Sequence, residues 1–239
     1  LQQAPKTEAE RRQADKLPYA NIIGALLFAS RHTRPDIAYP VAFLARFMAQ
    51  GRHGNEHFQR AKRVLRYLAG TRHRALIIDD SPLKIQAYVD TDDSGCKDTS
   101  KSTTGMMWLA GNSLLGWWSR RQKIVTLSTT ESEYVGLVDA AKEVIWVRHF
   151  CQDINHPQNE PTVIYEDNQS AIALCKKRPH MHGRTKHMRR RMRFIPQCIE
   201  AGDITLKWVR SEDNIADLLT KAVGPTRFKQ LVNMLPFVD

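Results

Sequence analysis

No run of about 18 apolar residues, the length a membrane-crossing helix needs, occurs anywhere in the 239-residue chain. Residues 1–16 (LQQAPKTEAERRQADK) are polar and charged, without the apolar stretch of a secretory signal. Cysteine is scarce. The four present, Cys96, Cys151, Cys175 and Cys198, are far apart and form no CxxC pair. A disulfide-dense scaffold is therefore excluded, and a reducing intracellular setting fits better than an oxidising one, although distant pairings stay open. The chain opens on Leu1 rather than Met, which leads us to expect a piece of a longer protein. Acid is also short: 25 Asp and Glu against 36 Lys and Arg give a net charge of +11. That excess favours a polyanionic partner, either nucleic acid or an acidic membrane surface. What remains is ordinary for a globular protein, with 42% hydrophobic and 26% charged residues, enough for one large domain or two small ones.

Residues 1–16 read as a flexible or weakly helical lead-in, and residues 17–80 as a helical region. Ile22, Ile23, Leu26 and Leu27 share one helical face. Arg34-Pro35-Asp36 breaks the chain and starts a second helix with proline in its first turn, after which Ile37, Val41, Leu44 and Phe47 recur at spacings of three and four. A third helix follows Asn55, with Phe58, Ala61, Val64, Leu65 and Leu68 inward and Gly70 placed to cap it. Its outer face, Arg60, Lys62, Arg63 and Arg66, suits either solvent or a phosphate backbone. Arg72–Asp80 reads as a strand leading over a turn at Ser81-Pro82, and the boundary between the two parts is expected near Gly70–Pro82.

From residue 81 to 239 the pattern is one of short strands alternating with helices. Ile85–Ser94 (IQAYVDTDDS) alternates and delivers Asp90 to a strand's end, with Asp92 and Asp93 crowded behind it. Alone, this is an acidic turn. Thr104–Ala110 and Ser113–Ser119 flank Gly111-Asn112, a two-residue hairpin turn. Trp117 and Trp118 suit sheet packing, with base stacking as the alternative. Ser128 followed by Glu131 is a capping pattern that starts a helix running to about Phe150. Glu131 is accounted for by the helix dipole. Glu133, four residues before Leu137, lies on the inward stripe, where a capping acid has less reason to be.

Pro161–Tyr165 reads as a buried strand ending at Glu166-Asp167-Asn168, with a helix from Gln169. Strand ends of this kind are where open α/β sheets bind ligands, although Asp167 would also serve as a plain helix cap. Ile204–Val209 is a last strand. It leads into a helix containing Ile215, Ala216, Leu218 and Leu219, in which Asp217 is out of place. Between these, residues 176–193 hold nine Lys or Arg, three His and no acid. Such density repels itself on a solvated helix face and points to a phosphate backbone. Cys175, His180, His182 and His187 raise a zinc site, but at no standard finger spacing.

Phosphodiester hydrolysis needs a water made nucleophilic and a leaving oxygen whose charge is stabilised. Two divalent metals about 4 Å apart supply both, and magnesium takes hard oxygen ligands. Asp90, Glu133, Asp167 and Asp217 would form such a site if the sheet brings them together.

Several segments then carry a family resemblance. Tyr88-Val89-Asp90, Lys101–Gly105, Leu127–Tyr134, Tyr165–Ile172, Arg184–His187 and Ala216–Lys221 resemble the ribonuclease H domain of copia-type LTR retrotransposon polyproteins. Leu17–Gly70 is similar to the end of the reverse transcriptase that precedes it, its thumb or connection. The resemblance implies an α/β ribonuclease H-like fold, a mixed five-stranded sheet flanked by helices, behind a small helical region. It implies that Asp90, Glu133, Asp167 and Asp217 are catalytic metal ligands, with Glu131 as the alternative second acid. The cofactors would be two Mg2+ ions, with Mn2+ as a substitute. The activity would be endonucleolytic cleavage of the RNA strand of an RNA–DNA hybrid. Contacts to that hybrid would come from Asn168, Gln169, Ser102, Thr103, Arg184, Lys186, Arg190 and Arg191. The partners would be the hybrid and the upstream reverse transcriptase domain, with no membrane involved. The setting would be intracellular, in a cytoplasmic virus-like particle or the nucleus.

The chain departs from the family pattern at Asp93, where an aromatic residue is usual, and at Arg189, where an acid is usual. Arg210 and Glu212 stand in the loop where many cellular relatives carry histidine. Polymerase activity is not expected from this chain. The competing reading is a non-catalytic nucleic-acid-binding module that holds template and primer for an upstream polymerase. A third, an integrase-like phosphotransferase, fits the four acids and the preceding helices less well.

Overall fold

The computed structural model describes residues 5, 7–49, 52–93, 95, 99–176 and 186–238, with the backbone alone over 186–192. In chain order its elements are α1 (Glu8–Asp15), α2 (Tyr19–His32), α3 (Ala38–Ala45), α4 (Asn55–Gly70), β1 (Ala75–Leu76), β2 (Ile85–Asp92), β3 (Thr103–Ala110), β4 (Ser113–Arg121), α5 (Thr129–Asp153), β5 (Thr162–Glu166), α6 (Gln169–Lys176), α7 (Lys186–Glu200), β6 (Ile204–Trp208), α8 (Pro225–Asn233) and β7 (Phe237–Val238). Short 3-10 turns cover Pro35–Ile37, Ser211–Asp213 and Ile215–Leu219. The chain divides into two units, Leu1–Ile77 with Phe237–Asp239, and Ile78–Pro236. Among the described residues, no helix is long and apolar enough to cross a membrane.

In the helical unit, Thr7 opens α1 with a reciprocal cap. Its hydroxyl accepts from Glu10 N at 3.2 Å, and the Glu10 carboxylate accepts from Thr7 N at 3.3 Å. A regular helix thus stands in the stretch read as a flexible or weakly helical lead-in, and its Ala14 is buried. Tyr19, Ile23 and Leu26 of α2 pack with Ile37, Val41 and Leu44 and with Ala61 and Val64 of α4. Leu65, read as inward, is exposed, because the stripe through Ala61 and Val64 already covers the core side of α4. Gly70 is the last helical residue and takes no left-handed turn, and the cap falls to Thr71. A buried ion pair, Arg34 to Asp36 at 2.7 Å, is closed by the Tyr67 hydroxyl donating to Asp36 at 2.6 Å. The strand expected over Arg72–Asp80 shrinks to Ala75–Leu76, the two residues that find partners in Phe237–Val238.

The second unit is built on a five-stranded sheet in the order β4-β3-β2-β5-β6. β2, β3 and β4 form an antiparallel meander, while β5 and β6 run parallel to β2. Gly111, with φ of +59°, turns the hairpin between β3 and β4 in the left-handed conformation glycine adopts without strain. This is the mixed, helix-flanked sheet of the ribonuclease H-like fold. Its core joins Ala87, Val89, Met106 and Ile164 of the sheet to Tyr134, Leu137, Ala141 and Val144 of α5, with Ile172 and Ile195 from α6 and α7.

The ladder sets the directions of the side chains. Residues paired across antiparallel strands share a face, and successive residues alternate. Asp90 pairs with Gly105, and Thr91 with Thr104. A Cβ on Gly105 would lie 2.5 Å from Leu219 Cβ, so the Asp90–Gly105 face meets the 3-10 turn Ile215–Leu219. A Cβ on Gly136 of α5 would lie 2.5 Å from Thr91 Oγ1, so the Thr91–Thr104 face meets α5. Two glycines therefore let the two layers close on the sheet at the same level.

Candidate metal centre

The C-terminal ends of the parallel strands β2 and β5 bring five carboxylates together. On the face of the 3-10 turn, Asp90, Asp167 and Asp217 each offer an oxygen, all within 4.8 Å of one another. On the α5 face, Glu133, Glu166 and Asp167 do the same. Asp167, just beyond the end of β5, belongs to both groups. It reaches both because it follows the strand and is not committed to either face.

Local structure holds each acid. The Thr220 hydroxyl donates to Asp90 Oδ2. Asn214, fully buried, donates from Nδ2 to Val89 O at 2.9 Å and accepts from Ala216 N at 3.2 Å. This ties the turn that carries Asp217 to the strand that carries Asp90. The turn is 3-10 rather than the α-helix expected from the sequence, since a five-residue element closed by the Asn214 cap has no room for a longer ladder. Asp217 also accepts from Arg227 Nη2 at 3.1 Å and pairs with Lys221 Nζ at 2.6 Å. Lys221 Nζ lies 3.8 Å from Asp90 Oδ2.

Glu131 and Glu133 separate cleanly. Glu131 N donates to the capping Ser128 hydroxyl, while the Glu131 carboxylate accepts from Leu127 N at 2.7 Å, out in solvent. Glu133 is buried and belongs to the carboxylate group. Asp167 does not cap α6. Asn168 does, its Oδ1 accepting from Ala171 N at 3.0 Å, which leaves the Asp167 side chain to the site.

Burial and crowding act on these groups together. Burial pushes Asp90 up to about 7, with the charges of Asp217 and Asp167 adding and Lys221 and Thr220 opposing. Burial pushes Glu133 up to about 11, reinforced by Glu166, Asp90 and Asp167 and opposed by a hydrogen bond from Thr91. Glu166 is also raised well above the usual carboxylate range, again by burial first. Burial works against the Lys221 ammonium, yet Asp90 and Asp217 outweigh it and hold its pKa above the ordinary value.

The donor set suits a hard cation. Glu133 Oε2 and Glu166 Oε2 are buried without a hydrogen-bond partner among the described residues. A divalent ion with oxygen preference would satisfy both and offset the mutual repulsion.

Several expected contacts sit elsewhere. Ser102 is buried, its hydroxyl donating to Asp93 Oδ1 at 3.1 Å and lying 3.2 Å from Thr126 Oγ1. Thr103 is buried as well. Both were expected to contact the hybrid, and both are buried in the structure. Asn168 is committed to its cap, while Gln169 is exposed. Arg184, His180, His182, Ser94 and Cys96, and the side chains of Lys186, His187, Arg190 and Arg191, lie outside the described residues. Cys151, Cys175 and Cys198 are free and buried.

Compared with known proteins, the chain is 37% identical over 233 residues to the retrovirus-related Pol polyprotein from transposon TNT 1-94 of Nicotiana tabacum, covering 96% of this chain. It is 35% identical over 222 residues to the corresponding polyprotein from transposon RE1 of Arabidopsis thaliana, covering 92% of this chain. The chain belongs to the copia-type retrotransposon Pol polyproteins. It spans 17% and 15% of the length of these two relatives. No family model matches the chain. Among solved structures, the LC11 RNase H1 in complex with an RNA/DNA hybrid is similar over 57% of this chain and 94% of its own, with 13% identity and a TM-score of 0.42. The foamy viral protease-reverse transcriptase in complex with dsDNA is similar over 86% of this chain and 42% of its own, with 15% identity and a TM-score of 0.42.

Within this segment of a Pol polyprotein, Glu166 is the carboxylate that motif reading passed over, because Asp167 beside it matched the pattern. The alternation of Thr162, Ile164 and Glu166 on one buried face was the available signal. Lys221 and Arg227 were also not assigned a place at the acids, and Trp208 was not foreseen beside Asp167.

Proposed function

We propose that this segment is a metal-dependent endonuclease that hydrolyses the RNA strand of RNA–DNA hybrids for its retrotransposon's reverse transcription. The carrying observation is the convergence of Asp90, Asp167 and Asp217, with Glu133 alongside, at one end of the sheet. In a chain of net charge +11, a polyanion is drawn toward an acidic pocket that could not attract it unaided. Membership of the Pol polyproteins supports a nucleic-acid substrate and an upstream reverse transcriptase as the working partner. The helical unit is then read as the end of that polymerase, its thumb or connection.

Asp90, Glu133, Asp167 and Asp217 would hold two Mg2+ ions, with Mn2+ able to substitute. When bound, the ions supply a water acidic enough to attack phosphorus near neutral pH and stabilise charge on the leaving oxygen. The chain's own residues set the stage. Thr220 fixes the Asp90 carboxylate, Asn214 ties the Asp217 turn to β2, and Arg227 and Lys221 orient Asp217. Gln169 and the basic run that includes Arg184, Lys186, Arg190 and Arg191 are proposed to follow the hybrid's backbone.

The test is cleavage of a labelled RNA–DNA hybrid by the purified chain with Mg2+. We expect cutting of the RNA strand, abolished by Asp167→Asn with hybrid binding retained. Binding without cutting in either Mg2+ or Mn2+ would instead favour a non-catalytic module that clamps template and primer.

A further inference from the structure

We propose that Glu166 is a fifth carboxylate of this centre, supplying a cation ligand beside Glu133 and Asp167 on the α5 face of the sheet. The inference rests on the metal-dependent reading above and extends its donor set beyond the four acids that the motifs supply.

Three observations carry it. Glu166 ends β5 on the face that buries Thr162 and Ile164, so the strand itself turns the carboxylate toward α5 and Glu133. Its ligand atom lies within 4.8 Å of those of Glu133 and Asp167. Finally, Oε1 accepts from Asn168 N at 3.0 Å, whereas Oε2 is fully buried with no hydrogen-bond partner among the described residues. Glu133 repeats this pattern, held by Thr91 while its Oε2 is left unpaired in the same space.

Two buried, ionised carboxylates facing a third acid are costly in a protein interior unless they take up protons or a cation stands among them. Among the described residues, the nearby cations sit on the other face. Lys221 and Arg227 pair with Asp217, and Lys221 also lies near Asp90 and feels the charge of Asp167. A structural glutamate whose role was to cap the Asn168 amide would need only Oε1. The free Oε2 points to a hard divalent ion, magnesium or manganese.

The experiment is Mn2+ binding to the whole chain, followed by the electron paramagnetic resonance of free Mn2+ and by calorimetry, for the unsubstituted protein, Glu166→Gln and Asp167→Asn. Glutamine keeps the shape and the bond to Asn168 while removing the charge. We expect Glu166→Gln to weaken Mn2+ binding by about tenfold or more, with an unchanged circular dichroism spectrum. In the unsubstituted protein, labelled at the glutamate side-chain carboxyl carbon, Mg2+ should shift the Glu166 resonance together with that of Glu133. This second readout decides the matter even if Glu166→Gln fails to fold. Mn2+ binding by Glu166→Gln equal to that of the unsubstituted protein, or a Glu166 resonance unmoved by Mg2+, overturns the fifth ligand while leaving the four-acid reading intact. An unsubstituted protein that binds no Mn2+ overturns both.

Discussion

Gly105 stands opposite Asp90 in the β2–β3 ladder, and the turn carrying Asp217 rests in the space where a side chain would be. A Cβ at Gly105 would lie 2.5 Å from Leu219 Cβ, 2.8 Å from Thr220 Cγ2 and 3.1 Å from the Ala216 carbonyl. One of those contacts is backbone, so the turn itself must move. Gly105→Ala is expected to cost about 1–3 kcal/mol in denaturant unfolding, the usual range for overpacking. It should also displace Thr220 from Asp90 and weaken divalent-ion binding. Unaltered Mn2+ affinity in a folded Gly105→Ala protein would mean that the turn adjusts without carrying Asp217 away.

The raised carboxylates give the metal-free protein a characteristic pH dependence. Asp90 is held near 7 in the folded chain, against an ordinary value near 4. Below about 4, folded and unfolded states bind its proton alike. Between about 4 and 7 the unfolded state has lost the proton and the folded state keeps it, so this group lowers stability as pH rises. Glu133, pushed up to about 11, acts in the same direction from its own ordinary range upward. Cations bind the ionised forms and so reverse the trend. Thermal unfolding with and without saturating Mg2+ should therefore show a gap that widens with pH across this window. Proton release should be measurable when Mg2+ is added to weakly buffered protein. A gap that narrows with rising pH would mean these carboxylates are not the ligands.

Lys221 brings an ammonium to two of the acids at the centre. Its ammonium is 2.6 Å from Asp217 Oδ1 and 3.8 Å from Asp90 Oδ2, and the side chain remains partly open to solvent. Lys221→Met removes the charge and keeps most of the length. The metal-free variant should be less stable near neutral pH, because two buried aspartates lose a counter-charge. It should also bind Mg2+ more tightly, by about tenfold at most, because the ion no longer competes with an ammonium for the same oxygens. Calorimetry on the two proteins decides it. Weaker binding by Lys221→Met would assign the lysine to ordering the turn.

The sequence exposed the sheet and four of the five acids because both depend on local pattern. Alternation marks β2 and β5, Gly111-Asn112 marks the hairpin, Asp90, Glu133 and Asp167 sit near where an element starts or stops, and Asp217 interrupts an apolar run. Helical spacing favoured Glu133 over Glu131 without deciding between them, and in the structure Glu133 is the buried one of the two. What remained hidden is long-range. That the Asp217 turn is held by Asn214 bonding Val89, by Thr220 reaching Asp90 and by Arg227 spanning Ser211, Glu212 and Asp217 depends on contacts across many residues. No spacing rule encodes those. The burial of Ser102 and Thr103 was hidden for a related reason. Hydroxyl residues in a polar run look exposed until the β3 pairing buries them. Asn168 and Asp167 are adjacent and both are good helix caps, so only the observed bond to Ala171 N tells which of the two caps the helix.

Trp208 gives the last test, because it touches the backbone of Asp167, a proposed ligand, and not its carboxylate. Its indole N–H donates to Asp167 O at 3.0 Å, from a side chain that is about half exposed. β6 pairs Trp208 with Glu166, which places the indole beside the residue where β5 ends and Asp167 leaves the sheet. Trp208→Phe keeps an aromatic ring and removes the donor. Since water can reach the freed carbonyl, stability should fall by no more than about 1 kcal/mol. The effect on the centre should be larger in proportion. With Asp167 shared by both carboxylate groups, freedom in its backbone loosens two sets of ligand atoms at once, and Mn2+ affinity should fall severalfold. Hybrid binding measured without divalent ions should not change. If Trp208→Phe melts as the unsubstituted protein does and binds Mn2+ equally well, then β5 and the Asn168 cap suffice to position Asp167, and the indole bond is incidental to the site.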